Sequence, residues 1–245
     1  MAGILRQDGR RPDELRQVRI SPGYLDFAEG SALIEMGNTR VLCAVSLEAR
    51  SPQFLRGTGS GWITAEYNML PRATHERTPR ERIRTSGRTH EIQRLIGRSL
   101  RAVCDLELLG ERTLTVDCDV LQADGGTRAA AISGAYVALR QACQMLLGRG
   151  ELAASPVRQP VAAASVGLVG GVPLLDLCYE EDARAEVDFN VAMAEDGRLV
   201  EVQGTAESHP FPRPLLDEFL DLAEAGIRKL FQVQRLALGE IGVFD

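Results

Sequence analysis

An α+β fold is what the sequence predicts, with helices packed on mixed or antiparallel sheets and strands preceding a helix in each half. Apolar residues alternate with polar ones, or run in short blocks bounded by turn residues, in residues 17–50, 61–67, 114–120 and 162–203. Apolar residues spaced by three and four mark helices that begin near residues 89, 128 and 214. Runs of strands followed by helices, rather than strict alternation of the two, are the pattern of an α+β domain. The whole chain, residues 1–245, reads as one domain, with a Pro/Ser-containing connector near residues 150–160.

Each element has its own local reason. Residues 18–20 form a short strand after a polar start. Residues 31–36 and 40–47 are apolar runs joined by Gly37-Asn38-Thr39, and Gly and Asn tolerate the backbone of a hairpin turn. Residues 51–60 contain Pro52, Gly57 and Gly59 and read as a loop, and residues 61–67 alternate again. From Pro71 to Gly87 the periodicity stops. This arginine-rich stretch fits either a solvated loop or a basic flap that orders on a polyanion. Thr89 is placed to cap the next helix, whose inward face is Ile92, Leu95, Ile96, Leu100 and Val103; Arg88 would stand just before its start. Residues 114–120 are a strand, and Ile132, Tyr136, Leu139, Cys143 and Leu146 line a helix after it. Two hairpins follow, across Gly170-Gly171 and Glu195-Asp196-Gly197. A final helix covers about residues 214–236.

Composition excludes several classes. With 44% apolar and 25% charged residues the chain is an ordinary globular one, and no apolar run is long enough to span a membrane. The N-terminus lacks the apolar core of a signal peptide. The five cysteines are scattered without a C-x-x-C pair, which fits reduced thiols and a cytoplasmic setting better than disulfides or zinc. The three histidines are too dispersed for a histidine-ligated metal. Net charge is −6, yet residues 72–101 hold nine arginines against three glutamates, leaving the remainder strongly acidic. That asymmetry points to a localised patch for a polyanion. Arg94, Arg98 and Arg101 recur on one helix face, which fits a phosphate track or a plain solvated face.

Two stretches carry chemistry. The first is the strand-to-helix junction Leu121-Gln-Ala-Asp-Gly-Gly-Thr-Arg128. Glycines let a backbone turn sharply and admit a ligand to its N–H groups; a helix start adds free donors and a positive dipole end. With the Thr127 hydroxyl and the Arg128 fork, the junction suits a phosphate-sized anion, and Arg88 at another helix start can share it. A tight turn whose arginine pairs with a carboxylate fits the same pattern. The second stretch, residues 179–188, holds five carboxylates. Asp182 and Asp188 stand out because Asp188 begins an apolar strand, where a carboxylate needs a partner or a purpose. A carboxylate pair can bind Mg²⁺, or one member can hold a proton for a leaving oxygen; an acidic turn at a strand end is the plain alternative.

Longer motifs go further. Asp8-Gly-Arg10 with Asp13-Glu-Leu-Arg16, Ala28-Glu-Gly-Ser31, Gly37-Asn-Thr-Arg-Val-Leu-Cys43, Gly61-Trp-Ile-Thr-Ala-Glu-Tyr67 and Met69-Leu-Pro-Arg-Ala-Thr74 are followed by Gly87-Arg-Thr89 and Glu91-Ile-Gln-Arg-Leu-Ile-Gly-Arg-Ser-Leu-Arg-Ala102. Then come Asp117-Cys-Asp-Val-Leu-Gln-Ala-Asp-Gly-Gly-Thr-Arg128, Asp176-Leu-Cys-Tyr179 with Glu181-Asp182, and Val202-Gln-Gly-Thr-Ala-Glu207. In this order, over about the whole chain, they resemble the ribonuclease PH family, the bacterial phosphorolytic 3′→5′ exoribonucleases and tRNA nucleotidyltransferases. The resemblance implies that family's fold. It also implies a reversible reaction in which inorganic phosphate, the co-substrate, attacks the 3′-terminal phosphodiester of RNA and releases a nucleoside diphosphate. Arg88, Gly126, Thr127 and Arg128 would bind the phosphate. Asp182 and Asp188 would act at the reacting bond, binding Mg²⁺ (or Mn²⁺) or supplying the proton. Arg72, Arg77, Arg80, Arg94 and Arg98 are expected RNA contacts. The implied partners are tRNA precursors with 3′ extensions and copies of the chain itself, in a hexameric ring built as a trimer of dimers.

The chain departs from the family's pattern in two places. The segment between Thr74 and Arg88 is about two residues shorter and lacks a usual Gly-Lys. Ala129-Ala130-Ala131-Ile132-Ser133 stands where relatives often carry hydroxyl residues. Two other classes remain as expectations to set against this one: a metal-dependent hydrolase, for which an anion cradle has no use, and a silent RNA-binding ring subunit, which needs neither cradle nor carboxylates.

Overall fold

The computed structural model describes residues 6–80 and 87–240. The first half builds a five-stranded sheet from β1 (Val18–Pro22), β2 (Gly30–Met36), β3 (Thr39–Glu48), β4 (Trp62–Met69) and β5 (Thr113–Gln122), in the order β1-β2-β3-β5-β4. The β2–β3 turn is the expected one: Gly37 takes φ +56° and Met36 pairs with Thr39. β4 runs parallel to β5, and a parallel neighbour needs a crossover. Helix α1 (Gly87–Ala102) and the short α2 (Leu106–Leu109) supply it. The sequence does not predict α2. It is one turn long and too short for periodicity; its signal is Asp105, which accepts from the N–H groups of Glu107 and Leu108.

α1 begins at Gly87, two residues ahead of the expected cap. Thr89 and Arg88 therefore both lie in its first turn. The arginines along α1 are also not the open stripe the spacing suggested. Arg98 is held by both oxygens of Glu201 at 2.9 and 2.8 Å. Arg101 lies 4.2 Å over the Trp62 ring and donates to the Ile63 carbonyl. Only Arg94 of the three stands exposed without a described ion pair.

Helix α3 (Thr127–Gly148) follows β5 directly. Its apolar spacing predicts one buried face. The helix is instead buried on nearly every side, because β2 and β3 pack on one flank, β6 on another, and α1 and α5 touch it laterally. Small residues make this possible. A Cβ on Gly134 would come within 2.7 Å of Ile34 Cγ2.

The second half forms an antiparallel sheet from β6 (Val161–Val169), β7 (Val172–Leu175), β8 (Val187–Ala194) and β9 (Leu199–Ala206), in the order β7-β6-β8-β9. Successive residues of a strand face opposite sides. Phe189 thus turns toward α5 (Arg213–Glu240), meeting Phe219 at 5.3 Å between ring centres. Its neighbours Asp188 and Asn190 turn toward the N-terminal end of α3. The apolar run by sequence covers residues 172–178, but β7 stops at Leu175, since Asp176 adopts φ +55° and ends the ladder. Residues 179–182, an acidic turn by sequence, form the one-turn helix α4 (Tyr179–Asp182). One continuous hydrophobic core runs through both sheets and α1, α3 and α5.

Candidate active site

The strand-to-helix junction is shaped by two consecutive left-handed residues. Gly125 has φ +75° and Gly126 has φ +65°. A side chain at Gly125 would also collide: its Cβ would lie 2.4 Å from the Leu177 carbonyl oxygen. The two glycines thus swing the chain from β5 into α3 while pressing it against residues 177–179. Gly126 is the N-cap, and its carbonyl accepts from Ala130 at 3.0 Å. The N–H groups of the first turn, which have no partner within a helix, open onto a cavity of about 430 Å³.

That cavity gathers what the sequence set apart by a hundred residues. Arg88 comes from the first turn of α1, Gly126, Thr127 and Arg128 from the start of α3, Asp182 from α4 and Asp188 from β8. Arg128 reaches across to Asp188 Oδ2 at 3.5 Å and donates to Gln203 Oε1 at 3.3 Å. Asn190 donates to Asp188 Oδ1 at 2.9 Å. Burial pushes the Asp182 carboxyl above the ordinary aspartate range. The charge of Asp188 adds to the push, and Arg128 and Arg88 pull the other way. Two carboxylates and two guanidiniums therefore share one field.

Several residues of the site were not singled out in the sequence. Tyr67 donates to the Thr127 hydroxyl at 2.8 Å and so fixes it. Asn190 and Ser165 form part of the wall. A lone polar residue inside an apolar strand is a legible signal, and Asn190 and Ser165 both give it; Tyr67 gives none. Behind the junction lies a buried ionic cluster that the sequence did not announce. Arg16 donates to Asp176 through Nε and Nη2, at 3.0 and 2.7 Å. It also donates to the carbonyls of Asp124 and Gly125. Arg6 donates to both Glu181 oxygens at 2.8 and 2.6 Å. These N-terminal arginines brace the junction and α4 from the rear.

Of the expected RNA contacts, Arg72 borders a neighbouring cavity together with His75, Asp124 and Tyr179. Arg77 and Arg80 are exposed on a segment whose Thr74, Thr78 and Pro79 line the main cavity. Arg82 and Arg84 lie outside the described residues. Arg98 is already neutralised by Glu201, which removes it from the set of open phosphate ligands. Among the described residues no group of three or more His, Cys, Asp or Glu side chains is placed to hold a metal. All five cysteines are free thiols, and no helix of the described residues is long and apolar enough to cross a membrane.

The model of the 3′ exoribonuclease family, domain 1, matches residues 14–143, and that of domain 2 matches residues 159–226. Ribonuclease PH of Solibacter usitatus is 57% identical over 233 residues, covering 94% of this chain and 98% of its own. Ribonuclease PH of Corynebacterium efficiens is 57% identical over 236 residues, covering 96% of each. Among solved structures, an Archaeoglobus fulgidus exosome with RNA bound to its active site superposes with a TM-score of 0.80 at 26% identity, over 94% of this chain and 92% of that one. With both halves matched in order and more than half the residues shared with full-length relatives, the chain belongs to the ribonuclease PH family of 3′ exoribonucleases.

Proposed function

We propose that the cavity performs phosphorolysis with the roles divided as follows. By family the protein is a phosphorolytic 3′→5′ exoribonuclease that uses inorganic phosphate. The phosphate binds Arg88, Arg128 and the first-turn N–H groups of α3, with the Thr127 hydroxyl as a further contact. One of its oxygens attacks the phosphorus of the 3′-terminal phosphodiester. The bond to the 3′ oxygen of the preceding nucleotide breaks, and a nucleoside diphosphate leaves. Attacking and leaving groups are both anionic, so positioned cations supply most of the stabilisation. The observation that carries this reading is the meeting of a helix start, two arginines and two carboxylates in one cavity.

Asp182 and Asp188 act at the leaving side. Their mutual repulsion fits a divalent cation, and a hard ion of the Mg²⁺ (or Mn²⁺) type commonly uses one or two carboxylates and completes its shell with substrate phosphates and water. When bound it would screen the charge on the reacting phosphoryl group. The departing 3′ oxygen needs a proton; a carboxyl that supplies it is not at the same moment a cation ligand, and of the two Asp182, pushed up by burial and by Asp188, is the one prepared to hold a proton while Asp188 faces the ion. Asp188, paired with Arg128 and Asn190, remains the acceptor.

The substrate we infer is the 3′ extension of a tRNA precursor, with Arg72, Arg77, Arg80 and Arg94 as backbone contacts on the approach. Exposure of these four and the identity to ribonuclease PH relatives support it. A hexameric ring, a trimer of dimers, fits the exosome-like fold and the exposed apolar group Tyr24, Leu25 and Phe27. The shared core supports reading the chain as one domain, and the free thiols support a cytoplasmic setting.

Product analysis tests the reaction. The protein is incubated with Mg²⁺ and an RNA bearing an unstructured 3′ tail, with and without inorganic phosphate. Nucleoside diphosphates released only with phosphate are expected. Monophosphates released without it would mean hydrolysis, and tight RNA binding without product would mean a silent subunit.

A further inference from the structure

The wall of the cavity contains a buried hydroxyl without a protein partner. Ser165 on β6 is 5% exposed, and its Oγ has no hydrogen-bond partner. Its backbone is well engaged, the carbonyl accepting from Asp176 at 2.7 Å. Ser165 pairs across the sheet with Asn190, so both side chains stand on the same face as Asp188. The surrounding polar groups are committed: Tyr67 to Thr127, Asn190 to Asp188, Arg128 to Gln203 and Asp188. A buried polar atom left unpaired is rare and costly, and each one calls for a physical explanation.

The geometry supplies that explanation. A Cβ placed on Gly126 would lie 3.6 Å from Ser165 Oγ, so the hydroxyl sits beside the N-cap of α3. We propose that Ser165 is a further binding residue for the attacking phosphate, its hydroxyl donating to an oxygen that the α3 N-terminus and Arg128 also hold. This rests on the proposed phosphorolysis. Ser165 differs from the arginines in carrying no charge and lying inside the wall. It cannot attract an RNA backbone from a distance. Its contribution is therefore confined to a small anion seated at the cradle.

Ser165→Ala tests the idea on the full chain. Two readouts are taken: inorganic-phosphate binding without RNA, from the phosphate-dependent rise of the thermal midpoint, and separate KM values for phosphate and RNA. Loss of one hydrogen bond to a charged group predicts phosphate binding and phosphate KM weakened about tenfold or more. The RNA KM should stay within about twofold and the phosphate-free midpoint should be unchanged or higher, since no protein bond is lost. Arg128→Ala is the control that must lose phosphate binding. If Arg128→Ala loses it while Ser165→Ala binds phosphate like the parent, the role of Ser165 is refuted. A lower phosphate-free midpoint with an unchanged phosphate KM would refute it too, making the hydroxyl structural. If the parent itself binds no phosphate and releases monophosphates, the phosphorolytic reading fails, and this inference with it.

Discussion

Replacing Arg16 by Met probes the bracing of the cradle from behind. The Arg16 side chain is 4% exposed and that of Asp176 is 1% exposed, so their ion pair is out of water. The substitution removes two charge-assisted bonds to Asp176 and the donors to the Asp124 and Gly125 carbonyls. Asp176 keeps the Arg16 backbone N–H at 2.8 Å and Arg10 at 3.6 Å, a poorer substitute. Removing one partner of a buried pair costs about 3–5 kcal/mol because the other charge stays buried. For a chain of this size that lowers the thermal midpoint by roughly 6–20 °C. The freed carbonyls also loosen residues 124–126, so the phosphate KM should rise more than the RNA KM. Thermal unfolding and steady-state kinetics with each substrate varied are the assays. Arg16→Met/Asp176→Asn removes the stranded charge, and Asn tolerates the left-handed backbone there, so part of the midpoint should return. A single variant as stable as the parent, or a double variant no better than the single, would refute the claim that this pair holds the cradle in shape.

Other perturbations read other parts of the site. Asp182→Asn should abolish phosphorolysis yet raise the thermal midpoint at pH 7. The folded carboxyl is pushed up, so folding favours its protonated form; the cost in stability sets in as the pH rises past the unfolded pKa and is complete above the folded one. The gain should vanish at a pH below the unfolded aspartate range, and a midpoint lowered at pH 7 would contradict the assignment. Gly125→Ala must force a Cβ into a left-handed backbone against the Leu177 carbonyl, losing at least about 1–2 kcal/mol in urea unfolding, and phosphate affinity with it. Neutralising Arg72, Arg77 and Arg80 together should weaken binding to single-stranded RNA and flatten its salt dependence. The slope should fall by about 0.7 log units of affinity per log unit of salt for each RNA phosphate that is no longer neutralised. An unchanged slope would take these side chains off the RNA path.

Much of the molecule was legible in its residues because the signals were local. Alternation placed β5, with Leu114, Val116, Cys118 and Val120 buried as expected. Turn glycines placed the hairpins, and Gly125-Gly126 before Thr127-Arg128 marked a sharp strand-to-helix junction, since few other residues take that backbone. Where reasoning by period failed, contacts distant in sequence had intervened. α3 reads as amphipathic but is enclosed because two sheets and two helices meet around it. Arg98 reads as an open cation but faces Glu201, a residue 103 positions later. α2 and α4 are too short to show a period and depend on their caps.

The sequence by itself determined the longer elements, the backbone of the Gly125-Gly126 junction and, through ordered motifs, the family. Tertiary structure alone decided which charges are free and which are spent. It brought Asp188 to Arg128, Tyr67 to Thr127, Arg16 to the back of the loop and the Ser165 hydroxyl to the cavity wall. The reason is physical: backbone conformation follows from neighbours along the chain, whereas the energy of a charge or a hydroxyl depends on what lies within a few ångströms, and folding sets that across the whole length.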